Sequence, residues 1–201
     1  FPNIIIQKVT QNDINLDYNI DYPILIINRN PDPSIDFNTH PIKIDYRLSI
    51  IDSDEGFFYS DDCYLTEFEP INARQLLPCF DESCIRSTFS VKIRTCSYFN
   101  AVSNMPISTI TEMGSETEYS FSESPPMCTY LLCVCIGTFS SITGMTKSDT
   151  LIEYFTHRGE EEKYRKYLDV AIYSLEWLGD HLGVRYELPS LQLISLDGFS
   201  G

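Results

Sequence analysis

From residue 43 to residue 50 the chain alternates. Ile44, Tyr46, Leu48 and Ile50 are apolar, and Asp45, Arg47 and Ser49 between them are polar. Successive side chains of a strand point to opposite faces, so this segment reads as a strand with one face on a core and one in water. The runs "PILIIN", "TFSVKIRT", "EYSFSES" and "TYLLCVCIGTF" are likewise rich in β-branched and aromatic residues and are set off by Pro, Asn, Asp and Gly clusters. Strands at that spacing predict a mainly β fold, with a β-sandwich over roughly the first 150 residues. Within it, "MCTYLLCVCIG" is apolar almost throughout, which predicts a central strand covered on both faces.

Near residue 150 the period changes. "TLIEYFTH" reads as one more strand, but from Glu160 the apolar residues Tyr164, Leu168, Ala171, Ile172, Leu175, Leu178 and Leu182 recur at three and four, the spacing of a helix face. Glu160, Glu161 and Glu162 fall in the first turn, where the helix dipole favours anions, and Gly183 stands where a terminating glycine belongs. Trp177, the sole tryptophan, sits beside Leu178 and is expected to pack. A strand in "LPSLQLISLDGFSG" follows. Strands joined by turns thus give way to strand, helix, strand, with a boundary expected between Gly137 and Asp149.

Charge narrows the partners. The 201 residues carry 29 acidic and 14 basic side chains, a net charge of −15, which argues against nucleic acid and against an anionic membrane surface and favours a cationic ligand. No run approaches eighteen apolar residues, and the start, "FPNIIIQKVTQND", has neither a charged leader nor a cleavage site. Seven cysteines without a C-x-x-C pair, and no N-x-S/T sequon, predict reduced thiols, mostly buried, and a cytoplasmic protein. Position 1 is not Met and Gly201 closes the chain in a loop-like stretch, which reads as a fragment.

Residues 65–83, "LTEFEPINARQLLPCFDES", place Glu67 and Glu69 one residue apart. On a strand over 64–69 the two would share a face about 7 Å apart. They would then repel by about 2 kcal/mol at an effective dielectric of about 20. Three offsets are open: screening by water on an exposed face, a bound cation, or Arg74 as an internal partner across the turn after Pro70. An ammonium about 4 Å from either carboxylate would recover about 4 kcal/mol at the same dielectric.

The string "TEFEPINARQLLPCFDES" resembles the "TQFEPTDARRAFPCFDEP" signature of the aminopeptidase N family of zinc metallopeptidases, of the puromycin-sensitive aminopeptidase type. "TFSVKI", "AVSNMPI", "SPPMCTYLLCVCIGTF" and "LPSLQLISLDGFSG" follow in the family's order. The resemblance implies a β-sandwich N-terminal domain over residues 1–145, its first strands missing. It further implies, over 146–201, the first strand-helix-strand of a thermolysin-like α+β catalytic domain, truncated before the zinc site. The implied parent is a zinc-dependent enzyme that releases single residues from peptide N-termini. Its partners are peptide substrates with a free N-terminus, and this chain's partner is the remainder of the catalytic domain.

By the same resemblance Glu69 reaches across the domain junction and holds the substrate's α-amino group. Glu67 stands where the family usually has Gln, which makes the proposed pocket more acidic. Gly201 is the first residue of the family's G-A-M-E-N motif, whose glutamate also contacts the amine. Glu69, Glu67 and Gly201 are therefore the expected substrate-binding residues, with no catalytic residue in this chain.

No H-E-x-x-H occurs, and His40, His157 and His181 are widely separated, so the zinc of the parent has no ligand set here and this chain is expected to bind no cofactor. Cys79 lacks a motif-borne histidine base, and Cys79, Phe80 and Asp81, like Asn104, Met105 and Pro106, are read as structural turns. The fragment alone is expected to be inactive. The rival reading is a non-catalytic scaffold or binding module built on the same fold. A lipid-epoxide hydrolase of the family begins its signature "SQCQ", with Gln in place of Glu69, which weighs against that activity.

Overall fold

Asn12 and Asp13 both take positive φ, 50° and 62°, and fold β1 (Ile4–Gln11) back onto β2 (Ile14–Asn15). Two residues of that conformation make the hairpin turn whose twist matches the flanking strands, and Asn and Asp tolerate it better than other side chains. The structure, a computed structural model, describes residues 3–30, 32, 35, 39–50 and 53–196. Two compact units emerge, one drawn from residues 1–58, 67–86 and 128–131, the other from 59–66, 87–127 and 132–201.

In the first unit β3 (Tyr18–Asp21) and β4 (Ile24–Ile27) form a two-stranded ribbon, and β5 (Ile42–Leu48) pairs antiparallel with β1, giving the order β2-β1-β5. The alternation read from the sequence is realised only in part: Ile44, Tyr46 and Leu48 are half-buried and Arg47 is exposed, but Asp45 is half-buried as well, and Ile50 lies beyond the end of β5 and is exposed. Val9, Leu16, Ile35, Phe68 and Ala73 are buried in this unit.

The chain changes units inside β6 (Gly56–Ser60), β7 (Cys63–Glu67) and β8 (Arg86–Ser87). The second unit continues with β9 (Lys92–Cys96), β10 (Asn100–Ser103), β11 (Ile107–Met113) and β12 (Glu116–Phe121). After β13 (Met127–Cys128), which also spans the two units, it resumes with β14 (Val134–Gly137), β15 (Phe139–Met145), β16 (Leu151–His157), α1 (Glu161–Leu182) and β17 (Ser190–Ile194). Strand β12 lies between β11 and β9, and β14 between β10 and β7. The apolar run is thus central, as expected, but it is not one strand. It is divided among β13, a short helical turn (Thr129–Leu131) and β14.

Strands β15 and β16 form a hairpin, and β16 and β17 run parallel with α1 between them in sequence. Residues 146–150 form the turn of that hairpin, and β16, α1 and β17 follow it in strand, helix, strand order. Ile142, Ile152 and Leu168 make the core beneath α1, ringed by Tyr164, Ala171, Ile172 and Leu175. Gly144 lies at the helix crossing, where a Cβ would stand 2.5 Å from Ile172 Cδ1, so that terminal methyl would have to swing aside. Gly183 ends α1 at φ 66°, the left-handed cap the sequence predicts. The fold is mainly β with this one long helix.

One expectation fails on α1. Leu178 and Leu182 are exposed, and Trp177 is 50% exposed, stacked on His181 with ring centroids 4.7 Å apart instead of packed in the core. The 22-residue helix spans about 33 Å, whereas the seven-residue strands beneath it span about 23 Å, so the helix is longer than the strands it packs on.

All seven cysteines are free thiols. Cys63, Cys128 and Cys135 are buried, but Cys84 and Cys96 are exposed.

Candidate functional site

Strand β7 ends at Glu67. The expected strand over 64–69 therefore stops short of Glu69, and the two glutamates do not share a strand face. Two local causes are visible. The side chain of Phe68 is drawn into the first unit's core, and Pro70, which has no N–H to give a ladder, follows Glu69 through a cis bond. The chain then turns, with Asn72 N–H donating to the Phe68 carbonyl at 2.8 Å, and enters a short helical turn at Ala73–Gln75.

That turn fixes the backbone of Glu69 from both sides. Its N–H donates to Glu67 Oε1 at 3.1 Å, and its carbonyl accepts from Asn72 Nδ2 at 3.2 Å. Asn72 Nδ2 also donates to Glu55 Oε2 at 3.2 Å, while Asn72 Oδ1 accepts from Gln75 Nε2 at 2.9 Å. The Glu69 side chain is exposed, and Glu67 is half-buried with one oxygen spent on the backbone. Sequence reasoning singled out neither Glu55 nor Asn72. Glu55 is 17 residues from Asn72 and nothing in its own neighbourhood marks it. Asn72 carried a weak signal, because asparagine before a short helical turn is a capping choice.

Arg74 is not the partner of either glutamate. Its backbone N–H and its Nε both donate to Asp81 Oδ2, at 3.1 and 2.9 Å, and its Nη2 donates to the Asp81 carbonyl at 3.0 Å. Thr129 Oγ1 supplies the other carboxylate oxygen with a 2.7 Å hydrogen bond. Asp81 is buried and saturated, so Arg74 neutralises it and closes the loop between the short helical turn and residue 81. Of the three offsets open from sequence, the internal one is thereby removed. Among the described residues, Glu55, Glu67 and Glu69 enter no ion pair.

Cys79 lies in the same loop. Burial, with help from the Asp81 charge and against the pull of Arg74, pushes its thiol up to about 12. It stays protonated at neutral pH and is a poor nucleophile. Asn104, in the other unit, takes the structural role expected of it, with Oδ1 accepting from Cys133 N–H at 2.7 Å. Gly201 lies outside the described residues.

Chemically, the loop offers an exposed carboxylate on a pinned backbone with a second carboxylate behind it. Such an arrangement suits a cation and offers no nucleophile or proton shuttle. Among the described residues, no three His, Cys, Asp or Glu side chains come together as a metal site. No helix of the described residues is long and apolar enough to cross a membrane.

Comparison with known proteins bears on this loop directly. Residues 3–131, which include all of it, match the family described as the Peptidase M1 N-terminal domain. The chain is 31% identical over 167 residues to Aminopeptidase M1-B of Oryza sativa subsp. japonica, covering 79% of this chain and 19% of that protein. It is 32% identical over 137 residues to Puromycin-sensitive aminopeptidase of Caenorhabditis elegans, covering 67% and 14%. It is 29% identical over 171 residues to Endoplasmic reticulum aminopeptidase 2 of Bos taurus, covering 80% and 18%. The chain therefore spans less than a fifth of the length of these relatives.

Proposed function

The chain belongs to the family of the Peptidase M1 N-terminal domain, and on that footing we propose that it is the N-terminal portion of a zinc-dependent aminopeptidase, to which it contributes the anchor for the substrate's α-amino group. Glu69 is the anchor and Glu67 its support. The observation that carries this reading is the pair of hydrogen bonds that hold the Glu69 backbone, at Glu67 Oε1 and Asn72 Nδ2, while leaving its carboxylate in solvent.

A peptide's α-amine has a pKa of about 8 and is largely an ammonium at neutral pH. A carboxylate held at one place gives that charge a single location, so binding energy fixes which peptide bond reaches the reacting centre. A pinned backbone lowers the cost of ordering the anchor when substrate arrives. The half-buried Glu67 adds negative potential behind it and orients the loop through the Glu69 N–H.

Zinc, when bound in the parent, would supply an activated water and polarise the scissile carbonyl. Among the described residues no three His, Cys, Asp or Glu side chains come together to hold it, so in this reading the metal would be held elsewhere in the parent and the chain alone would be inactive. In this reading residues 146–201 open the catalytic domain, and the reduced thiols accord with a cytoplasmic enzyme.

The test uses a protein that carries this chain together with the rest of the length of its relatives. Aminoacyl and N-acetyl-aminoacyl forms of the same chromogenic substrate are compared. The anchor reading expects turnover of the free amine and none of the acetylated form. Equal rates would refute it, and absence of any peptidase activity would favour a scaffold.

A further inference from the structure

We propose that the free edge of β4 is a docking site for an extended, cationic peptide segment that carries apolar side chains at alternate positions. The reasoning starts from the ladder. Strands β3 and β4 pair with the register Tyr18↔Ile27, Asn19↔Ile26, Ile20↔Leu25 and Asp21↔Ile24, and Asn28 N–H donates to the Asp17 carbonyl at 2.9 Å. In an antiparallel pair, hydrogen-bonded and non-hydrogen-bonded positions alternate. The Asn28–Asp17 bond therefore makes Asn19–Ile26 and Asp21–Ile24 the bonded pairs. Leu25 and Ile27 turn their N–H and C=O groups the other way, to an edge with no backbone partner among the described residues.

A cavity of about 290 Å³ opens along that edge. Ile24, Leu25 and Ile27 of β4 line it, and no residue of β3 does. Ile24 and Leu25 point to opposite faces of the strand, so a space that touches both lies at the strand's edge and not on one face. Across it stand Pro78, Phe80 and Glu82. Phe80 is 78% exposed, and Ile24 and Ile26 are exposed as well.

Proteins ordinarily blunt an edge of this kind with lysine, proline or a bulge. Within Ile24–Ile27 there is none, and Pro23, which also lines the cavity, stands before the strand and leaves the Leu25 and Ile27 N–H groups open. Open backbone groups beside an apolar cavity supply the two elements of recognition by strand addition, the first for affinity and the second for specificity.

Charge selects the occupant. Glu82 lines the cavity and Asp21 is exposed at the end of β3, whereas the Arg74 guanidinium is spent on buried Asp81. The protein as a whole carries −15. The matching segment therefore bears lysine or arginine at the positions between its apolar residues, and an acidic segment is repelled.

The test is fluorescence anisotropy with a labelled peptide of alternating valine and lysine, acetylated and amidated at its ends. Its blocked amine cannot engage an α-amine anchor, so this experiment and the aminopeptidase test fail independently. Saturable binding is expected, weakened about tenfold or more when the peptide amides that face β4 are N-methylated, and lost when glutamate replaces lysine. Glu82→Gln is expected to weaken binding about threefold, and Phe80→Ser to weaken it further. Equal affinity for the N-methylated peptide, equal affinity for the glutamate peptide, or no saturable binding would overturn the proposal. So would a dimer of the protein that excess peptide fails to dissociate, because the occupant would then be a second copy.

Discussion

Arg74 and Asp81 meet at a single carboxylate oxygen. Both the Arg74 backbone N–H and its Nε donate to Asp81 Oδ2, at 3.1 and 2.9 Å, so one residue supplies the buried acid with both a main-chain and a charged donor. The contact joins the end of the Glu67–Asn72 turn to the Pro78–Glu82 loop, and through Thr129 to a segment distant in sequence.

Breaking this pair from either side leaves an uncompensated group. Asp81→Ala strands the Arg74 donors and Thr129 in a partly buried place, and a loss of about 3–5 kcal/mol of unfolding free energy is expected. Arg74→Met, which keeps volume but removes the charge, leaves the buried carboxylate without a countercharge, held only by the residue-74 N–H and Thr129, and should cost a similar amount. Urea denaturation of each variant measures it. A change below about 0.5 kcal/mol in both would show that the pair contributes no more than a surface contact.

Cys79 gives a pH dependence with a definite sign. Its folded pKa is raised from 9.0 to about 12, so the folded state holds a proton that the unfolded state releases above pH 9. The associated stability is fully present below pH 9 and is lost as pH rises toward 12. Thermal scans in that window should show a shallower loss in Cys79→Ala than in the parent protein. In the native protein at pH 8, an alkylating reagent should mark the exposed Cys84 and Cys96 and spare Cys79.

Gly144 should accept a side chain only if Ile172 gives way. A Cβ would meet Ile172 Cδ1 at 2.5 Å, and overpacking of a fitted core costs about 1–3 kcal/mol. Gly144→Ala should lower stability accordingly, and adding Ile172→Val, which withdraws that methyl, should restore part of it. A double variant no more stable than the single one would locate the strain elsewhere.

Much of the scaffold was legible because its signals are local. The alternation of Ile44, Tyr46 and Leu48 produced β5, and the acidic start and Gly183 bounded α1. What failed depends on distant partners. The same spacing that made Leu168, Ile172 and Leu175 a buried face continues through Leu182, but the sheet beneath is shorter than the helix, and no local pattern encodes that.

At the site, the sequence offered Arg74 as an internal partner for Glu67 and Glu69. Glu69 is nearer along the chain and Glu67 equally near, yet Asp81 takes it, with Thr129, 48 residues away, completing the cage around that carboxylate. The strand over 64–69 failed for a related reason, since Phe68 is claimed by a core that its neighbours do not announce. Glu69 as a candidate came from the resemblance of its signature, and the structure adds the backbone that pins it.

If Asn72 positions Glu69, its loss should act through that residue. In a protein carrying the catalytic remainder, Asn72→Ala is expected to raise KM for free-amine substrates about threefold to tenfold with little change in kcat. Asn72→Asp, which retains one oxygen but has no Nδ2 to donate, should behave like alanine at neutral pH. A fall in kcat alone would separate Asn72 from substrate positioning.

The central claim is that the Glu69 carboxylate receives the positive charge at the start of a peptide, and the ratio kcat/KM of Glu69→Ala against the parent protein, on an unblocked aminoacyl substrate, tests it most directly. A loss of about 2–4 kcal/mol, or about 30-fold to 1,000-fold, is predicted, with Glu69→Asp recovering part of it. A loss of less than about threefold would contradict the claim.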